Sequence, residues 1–161
     1  MQKVTIICVG TLKDKYLKDA VVEYSKRLSG GLCDFSIVEI AEERVSDNPS
    51  VNQINTALKK EGERILAKIP SSAVIIPMCI EGKMLSSEQL ADKLSDFAVS
   101  GKSAICFIIG GSFGLSDEVK LKADLKLSMS PMTFPHQLAR VMLSEQIYRA
   151  FMINRGSKYH K

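Results

Sequence analysis

The sequence predicts an α/β protein built on a parallel-rich sheet with helices on both faces. Short β-branched or apolar runs alternate with longer segments of helical periodicity along the whole chain of 161 residues. The run at 72–80 is apolar almost throughout, which is typical of a strand covered on both faces. The composition, with 45% hydrophobic and 25% charged residues, is that of a globular protein. We therefore expect a single domain over residues 1–161.

The first half of the chain contains three predicted strands and two predicted helices. The first strand is β-branched and closed by Gly10, and the next segment has apolar residues at helical spacing from Tyr16 to Leu28. The second strand alternates partially. The second helix carries Ile54 and Leu58 at helical intervals among lysines and glutamates, which indicates a surface helix. In order, these elements are strand 4–9, helix 14–28, strand 33–40, helix 52–69 and strand 72–80.

The second half begins with a predicted turn at residues 81–83. Ser86 is the expected N-cap of the helix that follows, with Gln89 as its capping-box partner. Thr133 is the expected cap of the last helix. Pro135 suits the first turn of that helix because its missing N–H would have no partner there. The remaining elements are, in order, strand 104–109, helix 117–123, strand 125–129 and helix 135–153.

The last predicted helix is apolar around most of its circumference. An outer helix of a single α/β domain normally buries one face only, so we expect another subunit to cover the second face. His136, Arg140 and Ser144 follow each other at intervals of four and lie in one row of this helix. Glu145 and Arg149 have the same spacing, which is typical of an ordinary helix ion pair.

Charge and cysteine spacing restrict the class of protein further. The net charge of +4 permits a nucleic-acid partner but does not require one. The four cysteines are far apart, form no CxxC pair and have no histidine at zinc spacing, which favours free thiols in a reducing cytoplasm. The apolar run near the N-terminus is too short for a signal sequence, and no stretch reaches the roughly eighteen apolar residues of a membrane span.

The glycine cluster in the stretch FIIGGSFG raises the question of a ligand. A dinucleotide fingerprint needs G-x-G-x-x-G after the first strand, whereas Gly110 and Gly111 are adjacent and follow the fourth predicted strand. A Walker loop is excluded because no Gly-Lys-Ser/Thr follows. The glycines alone leave two interpretations, a tight turn and a backbone that approaches a ligand. The stretch SMSPMTFPHQLAR, which leads into the apolar last helix, favours the second.

Several stretches of the chain together resemble a known family. They are VGTLKDKYLKDAVVEYSKRL, EGERIL, EGKMLSSEQLA, FIIGGSFGL, LSMSPMTFPHQLARVMLSEQIYRA and the final YHK. In order and spacing they resemble the SPOUT class of methyltransferases, and within it the small bacterial 23S ribosomal RNA pseudouridine N3-methyltransferases (RlmH type). The resemblance implies a SPOUT (α/β-knot) fold whose C-terminal part forms a trefoil knot. It also implies a homodimer, in agreement with the apolar last helix.

The resemblance implies S-adenosylmethionine as methyl donor, held by backbone groups of three loops. By position these are the end of the third strand at Met78, the glycine turn beginning at Gly110, and the stretch before the last helix. The cofactor-binding residues expected in that stretch are Met129, Ser130, Pro131, Met132, Thr133 and Phe134. Pro131 has no N–H and cannot donate a backbone hydrogen bond. Because the sulfonium is already activated, no metal is expected.

The implied reaction removes a proton from a ring nitrogen as the methyl group is transferred. The catalytic candidates are His136, Arg140, Tyr159 and His160. The last two belong to the tail RGSKYHK, which we expect to close over the cofactor and to meet RNA at a site shared between subunits. A frayed, solvated terminus is the alternative.

RNA contact is expected from basic side chains of the first helix and its approach, and a solvated helix face is the alternative. These side chains are Lys13, Lys15, Lys18, Lys26 and Arg27. The chain shows no added RNA-binding domain, which favours a pre-shaped target such as the assembled ribosome. Two other functions stay open: methylation of another RNA such as a transfer RNA ribose, and a non-catalytic knot protein that binds RNA or ribosomes. The intact glycine turn and the loop at 129–134 favour the enzyme.

Overall fold

The computed structural model describes residues 1–161 and confirms the predicted α/β class. Its elements are, in chain order, β1 (Lys3–Val9), α1 (Lys15–Ser29), β2 (Asp34–Ile40), α2 (Val51–Lys68), β3 (Val74–Met84), α3 (Ser87–Val99), β4 (Ala104–Ile109), α4 (Asp117–Leu121), β5 (Leu127–Ser128) and α5 (His136–Asn154). The strands form one five-stranded sheet in the order β2-β1-β4-β3-β5, and every pair is parallel. None of the helices is long and apolar enough to cross a membrane.

The two faces of the sheet carry separate hydrophobic cores. Along β1, Val4, Ile6 and Cys8 belong to one core, whereas Ile7 and Val9 belong to the other, as the period of a strand requires. The larger core includes residues of α1, α3 and α5, and the smaller core includes residues of α2 and α4. The sheet is therefore covered by helices on both faces, as predicted.

Side-chain caps define the start of three helices, α2, α3 and α4, but not of α5. The hydroxyl of Ser86 accepts from the N–H of Gln89, and the Gln89 side chain accepts from the N–H of Ser86, so the predicted capping box is confirmed. The predicted cap of α5 by Thr133 is wrong. Pro135 occupies the N-cap position without a side-chain hydrogen bond, and Thr133, two residues earlier, is exposed.

The third strand is longer than predicted because its second half has a partner. The predicted turn at residues 81–83 is wrong, since these residues continue β3 beside β5. Met78 and Lys83 both pair with Leu127, so the strand bulges between them. A Cβ on Gly82 would lie 2.7 Å from the carbonyl carbon of Leu127. Gly82 therefore permits two backbones to approach closely and does not mark a turn.

The helices that follow β3 and β4 lie on opposite faces of the sheet. Residues of α3 belong to the larger core, and Val119 of α4 belongs to the smaller one. After the neighbouring strands β3 and β4 the chain thus turns to opposite faces of the sheet. This opens a crevice outside the carboxyl ends of the two strands. In open α/β sheets this crevice is where ligands bind.

Candidate active site

A cavity of about 770 Å³ occupies the crevice at the carboxyl ends of β3 and β4. Most of its lining comes from three segments, which are 78–81 of β3, 109–115 at the end of β4 and after it, and 128–136 without Pro131, from β5 to the start of α5. Lys120 of α4 and Ala139 of α5 complete the lining. The volume lies within the range of about 300–1,000 Å³ that is typical of small-molecule and cofactor sites. Three segments that are far apart in the sequence therefore form one site.

The glycine turn after β4 closes tightly on itself. The N–H of Gly114 donates to the carbonyl of Gly111 at 3.1 Å, and Gly114 has a positive φ of 81°. A Cβ on Gly110 would lie 2.6 Å from the carbonyl carbon of Gly114 and closer still to its oxygen. Gly110 is therefore required by the close approach of the two ends of the turn, and Gly114 by its backbone conformation.

The loop between β5 and α5 is held by its own serines. The hydroxyl of Ser128 donates to the carbonyl of Ser130 at 3.1 Å, and the N–H of Met132 donates to the hydroxyl of Ser130 at 3.0 Å. Ser128 is buried, whereas the Met132 side chain is 71% exposed at the rim of the cavity. Hydrogen bonds within the loop thus shape the backbone that faces the cavity.

Most of the predicted site residues meet at this cavity. Those that line it are Met78, Gly110, Met129, Ser130, Met132, Thr133, Phe134 and His136. Pro131, predicted as a cofactor-binding residue, is exposed and lies outside the lining. The predicted catalytic residues Arg140, Tyr159 and His160 also lie outside the lining.

Arg140 is bound within the fold and does not reach the cavity. Its side chain is 2% exposed, its Nη1 donates to Glu39 Oε2 at 2.6 Å, and its Nη2 donates to the carbonyl of Gly10 at 3.2 Å. Its Nε has no hydrogen-bond partner. His136, Arg140 and Ser144 therefore lie in one row of α5 but not in one site, because only His136 faces the cavity. Arg140 ties α5 to the ends of β1 and β2.

The pairing of Glu39 with Arg140 predicts an asymmetry between two substitutions. Glu39→Gln should lower the free energy of unfolding by about 3 kcal/mol, because it leaves a buried guanidinium without a counter-charge. Arg140→Met should cost less, about 1–2 kcal/mol, because the Glu39 side chain is 38% exposed and can be hydrated. Urea unfolding measures the free energy of unfolding of both variants. A larger loss for Arg140→Met than for Glu39→Gln would contradict this role of the pair.

The C-terminal tail packs on α5 and α3 of its own chain. The hydroxyl of Tyr159 donates to Glu145 Oε1 at 3.1 Å, and Arg149 Nη2 donates to the same oxygen at 2.6 Å. The Arg149 guanidinium lies 4.8 Å from the centre of the Tyr159 ring, and its Nη1 is 3.2 Å from His160 Nδ1. His160 Nε2 lies 2.7 Å from Glu88 Oε1. The last residues are thus held by a polar cluster on two helices.

Glu145 and Arg149 have a role that their spacing does not reveal. The predicted helix ion pair between them is confirmed, and it also anchors the tail. Burial and the hydrogen bond to Glu145 raise the pKa of Tyr159, which favours the protonated hydroxyl that donates to Glu145. A spacing of four residues predicts an ion pair on a helix, but it does not predict that the C-terminal tail folds back onto that pair.

A second cavity of about 630 Å³ adjoins the first. The two cavities share Met78, Ser128 and Met129. Glu145, which binds the Tyr159 hydroxyl, lines the second cavity. The anchor of the tail therefore lies beside the candidate cofactor cavity.

The fold and the cavity together define a class of protein. The structure of a probable methylase family protein from Haemophilus influenzae aligns over 98% of this chain and 68% of its own, with a TM-score of 0.52 and 16% sequence identity, and so has the same fold. A sequence model of the family described as "Predicted SPOUT methyltransferase" matches residues 2–160. The chain belongs to the SPOUT methyltransferase family.

Curated relatives narrow this class further. The protein from Clostridioides difficile named "Ribosomal RNA large subunit methyltransferase H" is 51% identical over 98% of this chain and 99% of its own length. A protein of the same name from Bacillus pumilus is 52% identical with the same coverage. The predicted family resemblance is thus confirmed, and the trefoil knot and the homodimer stay predictions.

Proposed function

We propose that the protein transfers a methyl group from S-adenosylmethionine to N3 of a pseudouridine in 23S ribosomal RNA, with the assembled ribosome as substrate. The observation that carries this proposal is the similarity to relatives named for methylation of large-subunit ribosomal RNA, at 51% and 52% identity over 98% of the chain. In this proposal residues 1–161 act as a single methyltransferase domain in the cytoplasm, and the similarity over 98% of the chain supports the single domain.

The cavity fits the proposed cofactor in shape and chemistry. A Cβ on Gly110 would overlap the carbonyl of Gly114, so backbone without side-chain bulk forms this wall. Apolar side chains of Met78, Met129 and Phe134 line the other walls. Such a site can flank an adenine with apolar groups while backbone N–H and C=O groups bind its edge. These residues would hold the adenosyl and methionine parts of the cofactor.

The residues of this chain have two tasks in the reaction. When bound, S-adenosylmethionine supplies a methyl group on a positively charged sulfur, so the donor needs no further activation. The protein must hold the acceptor nitrogen in line with that methyl group and accept the imide proton. His136 lines the cavity and is half-buried, which makes it the candidate base of this chain. Tyr159 and His160 would orient the acceptor ring once the tail meets the cavity.

A homodimer would bring the tail and the cavity together. On α5, Val141, Met142 and Met152 are half-buried and belong to neither core, and Val141 and Met142 also line the second cavity. A second copy would cover this apolar stripe, and its tail would reach the cofactor cavity of the first. A protein that sediments as a monomer at micromolar concentration would contradict the dimer.

Cys79 provides a chemical test of the cofactor site. Burial raises the pKa of Cys8, Cys33 and Cys106 to about 12, so these thiols should resist alkylation in the folded protein. Cys79 is partly exposed and lines the cavity. Iodoacetamide at pH 8 should therefore modify Cys79 first, and saturating S-adenosylmethionine should slow this modification several-fold. Mass spectrometry of the peptides measures both effects, and unchanged labelling with the cofactor would place its site elsewhere.

Transfer of a labelled methyl group tests the proposed function directly. S-adenosylmethionine carrying the label is incubated with assembled ribosomes, free 23S ribosomal RNA and transfer RNA in parallel. We expect labelling of ribosomes well above that of the free RNAs. Labelling of transfer RNA alone would favour the alternative substrate, and no transfer to any of the three would reject the enzyme function.

A further inference from the structure

Tyr16 is exposed although the sequence pattern of α1 places it near the apolar stripe. The buried residues of α1 are Leu17, Val21 and Leu28, whereas the Tyr16 side chain is 71% exposed. With most of its ring in solvent, Tyr16 contributes little buried apolar area to this chain. Its surroundings indicate what it can bind.

The loop before α1, which leads to Tyr16, is hydrogen-bonded to β2 and to the start of α5. In the loop before α1, the N–H of Leu12 donates to Glu39 Oε2 at 3.3 Å, which also binds Arg140. The N–H of Lys13 lies 3.5 Å from Oε1 of Gln137, the neighbour of His136 in the first turn of α5. The buried Arg140 thus holds this loop, through Glu39, against the start of α5.

Tyr16 therefore lies at the same edge of the sheet as the cofactor cavity, because β1 and β4 are parallel and α1 follows the carboxyl end of β1. It is three residues from Lys13, so their Cα atoms are separated by at most about 11 Å. Because α1 runs away from this edge of the sheet, Lys26 is about 15 Å farther along the helix axis than Tyr16. The basic residues predicted to contact RNA accordingly fall into two groups, and only the group at the start of α1 lies near the site.

The charge around Tyr16 suits a nucleic acid. Lys13 is exposed and takes part in none of the ion pairs of the structure, whereas Lys15 is paired with Asp19. Lys18 is two positions from Tyr16 and therefore lies on a different side of α1. Free lysines bind phosphates, and an exposed aromatic ring stacks on a nucleobase. Lys13 and Tyr16 thus combine the two contacts by which proteins bind unpaired RNA.

We propose that Lys13 and Tyr16 bind a nucleotide that flanks the target in the RNA substrate, with its base stacked on Tyr16. This proposal rests on the proposed function and names the surface that receives the RNA. Loss of a stacked base should raise KM for ribosomes about 5- to 100-fold, since stacking contributes about 1–3 kcal/mol per base. It should leave kcat nearly unchanged, because the contact is equal in the ground state and the transition state.

Four variants test this surface. Tyr16→Ala should raise KM for ribosomes, and Tyr16→Phe should restore it because the ring is kept. Lys13→Ala should also raise KM, whereas Lys26→Ala, a lysine at the far end of α1, should not. The affinity for S-adenosylmethionine, measured by calorimetry, should be the same in all variants. An unchanged KM for Tyr16→Ala, or an equal effect of Lys26→Ala, would overturn the proposal.

Two further measurements separate this proposal from others. Sedimentation of the free protein identifies a subunit contact: if Tyr16→Ala converts a dimer into a monomer, the surface binds a second copy and the proposal is overturned. Direct binding to ribosomes is measured without methyl transfer. If the wild-type protein transfers no methyl group but binds ribosomes more tightly than Tyr16→Ala does, the proposed function fails and this surface stands. If Tyr16→Ala binds ribosomes equally well, the surface itself fails.

Discussion

Deletion of residues 156–161 is expected to abolish methyl transfer while leaving the fold and the cofactor site intact. The tail contains Tyr159 and His160, and it packs on the surface of α5 and α3 without contributing to either core. Loss of groups that orient an acceptor or assist proton transfer typically costs about 100- to 10,000-fold in rate. Methyl transfer to ribosomes measures the loss, and calorimetry with S-adenosylmethionine checks the cofactor site.

Tyr159→Phe is the matched control for the deletion. It keeps the ring, which packs edge-on against Tyr148 at 4.9 Å between centroids, and removes the hydroxyl that binds Glu145. We expect a smaller loss of activity than in the deletion, together with an unchanged dimer. Full activity of the deleted protein would mean that the tail has no part in the reaction.

Gly110→Ala is expected to weaken S-adenosylmethionine binding by at least about tenfold. The new methyl group would overlap the carbonyl of Gly114, which is backbone and cannot move without opening the turn. Forced overpacking of this kind costs about 1–3 kcal/mol, and 1.4 kcal/mol corresponds to a factor of ten in affinity. Calorimetric titration of the variant with the cofactor measures the change.

Gly101→Ala is the matched control for Gly110→Ala. Gly101 has a φ of 77° and nothing within 4 Å of an added Cβ, so alanine there is strained but causes no overlap. It should lower the free energy of unfolding by about 1–2 kcal/mol and leave cofactor affinity unchanged. If the two variants bind the cofactor equally well, the glycine turn is not part of the cofactor site.

Local patterns predicted the strands and most of the helices because those elements depend on neighbouring residues. The alternation of Ile6 and Ile7 between the two cores, and the capping box of Ser86 and Gln89, are both properties of a short stretch. The position of β4 at 104–109 was likewise predictable from one apolar run that ends in glycine.

Contacts between segments that are far apart in the sequence were not predictable from local patterns. Arg140 is a catalytic candidate from the sequence, but it lies outside the cavity lining and binds Glu39, which is 101 positions away in the sequence. The turn predicted at 81–83 ignored the pairing of β3 with residues 127–128. The contact of His160 with Glu88, across 72 positions, has no local signal either. The family resemblance predicted the three segments that line the cavity, because it matched all three of them together.

The most direct test of the account is the identity of the methylated nucleoside. Ribosomes that lack the modification are incubated with the protein and labelled S-adenosylmethionine, and the 23S ribosomal RNA is then digested and analysed by mass spectrometry. If the proposed function is correct, the label is found in 3-methylpseudouridine at a single position. Label on a ribose hydroxyl, or on a base other than pseudouridine, would contradict it.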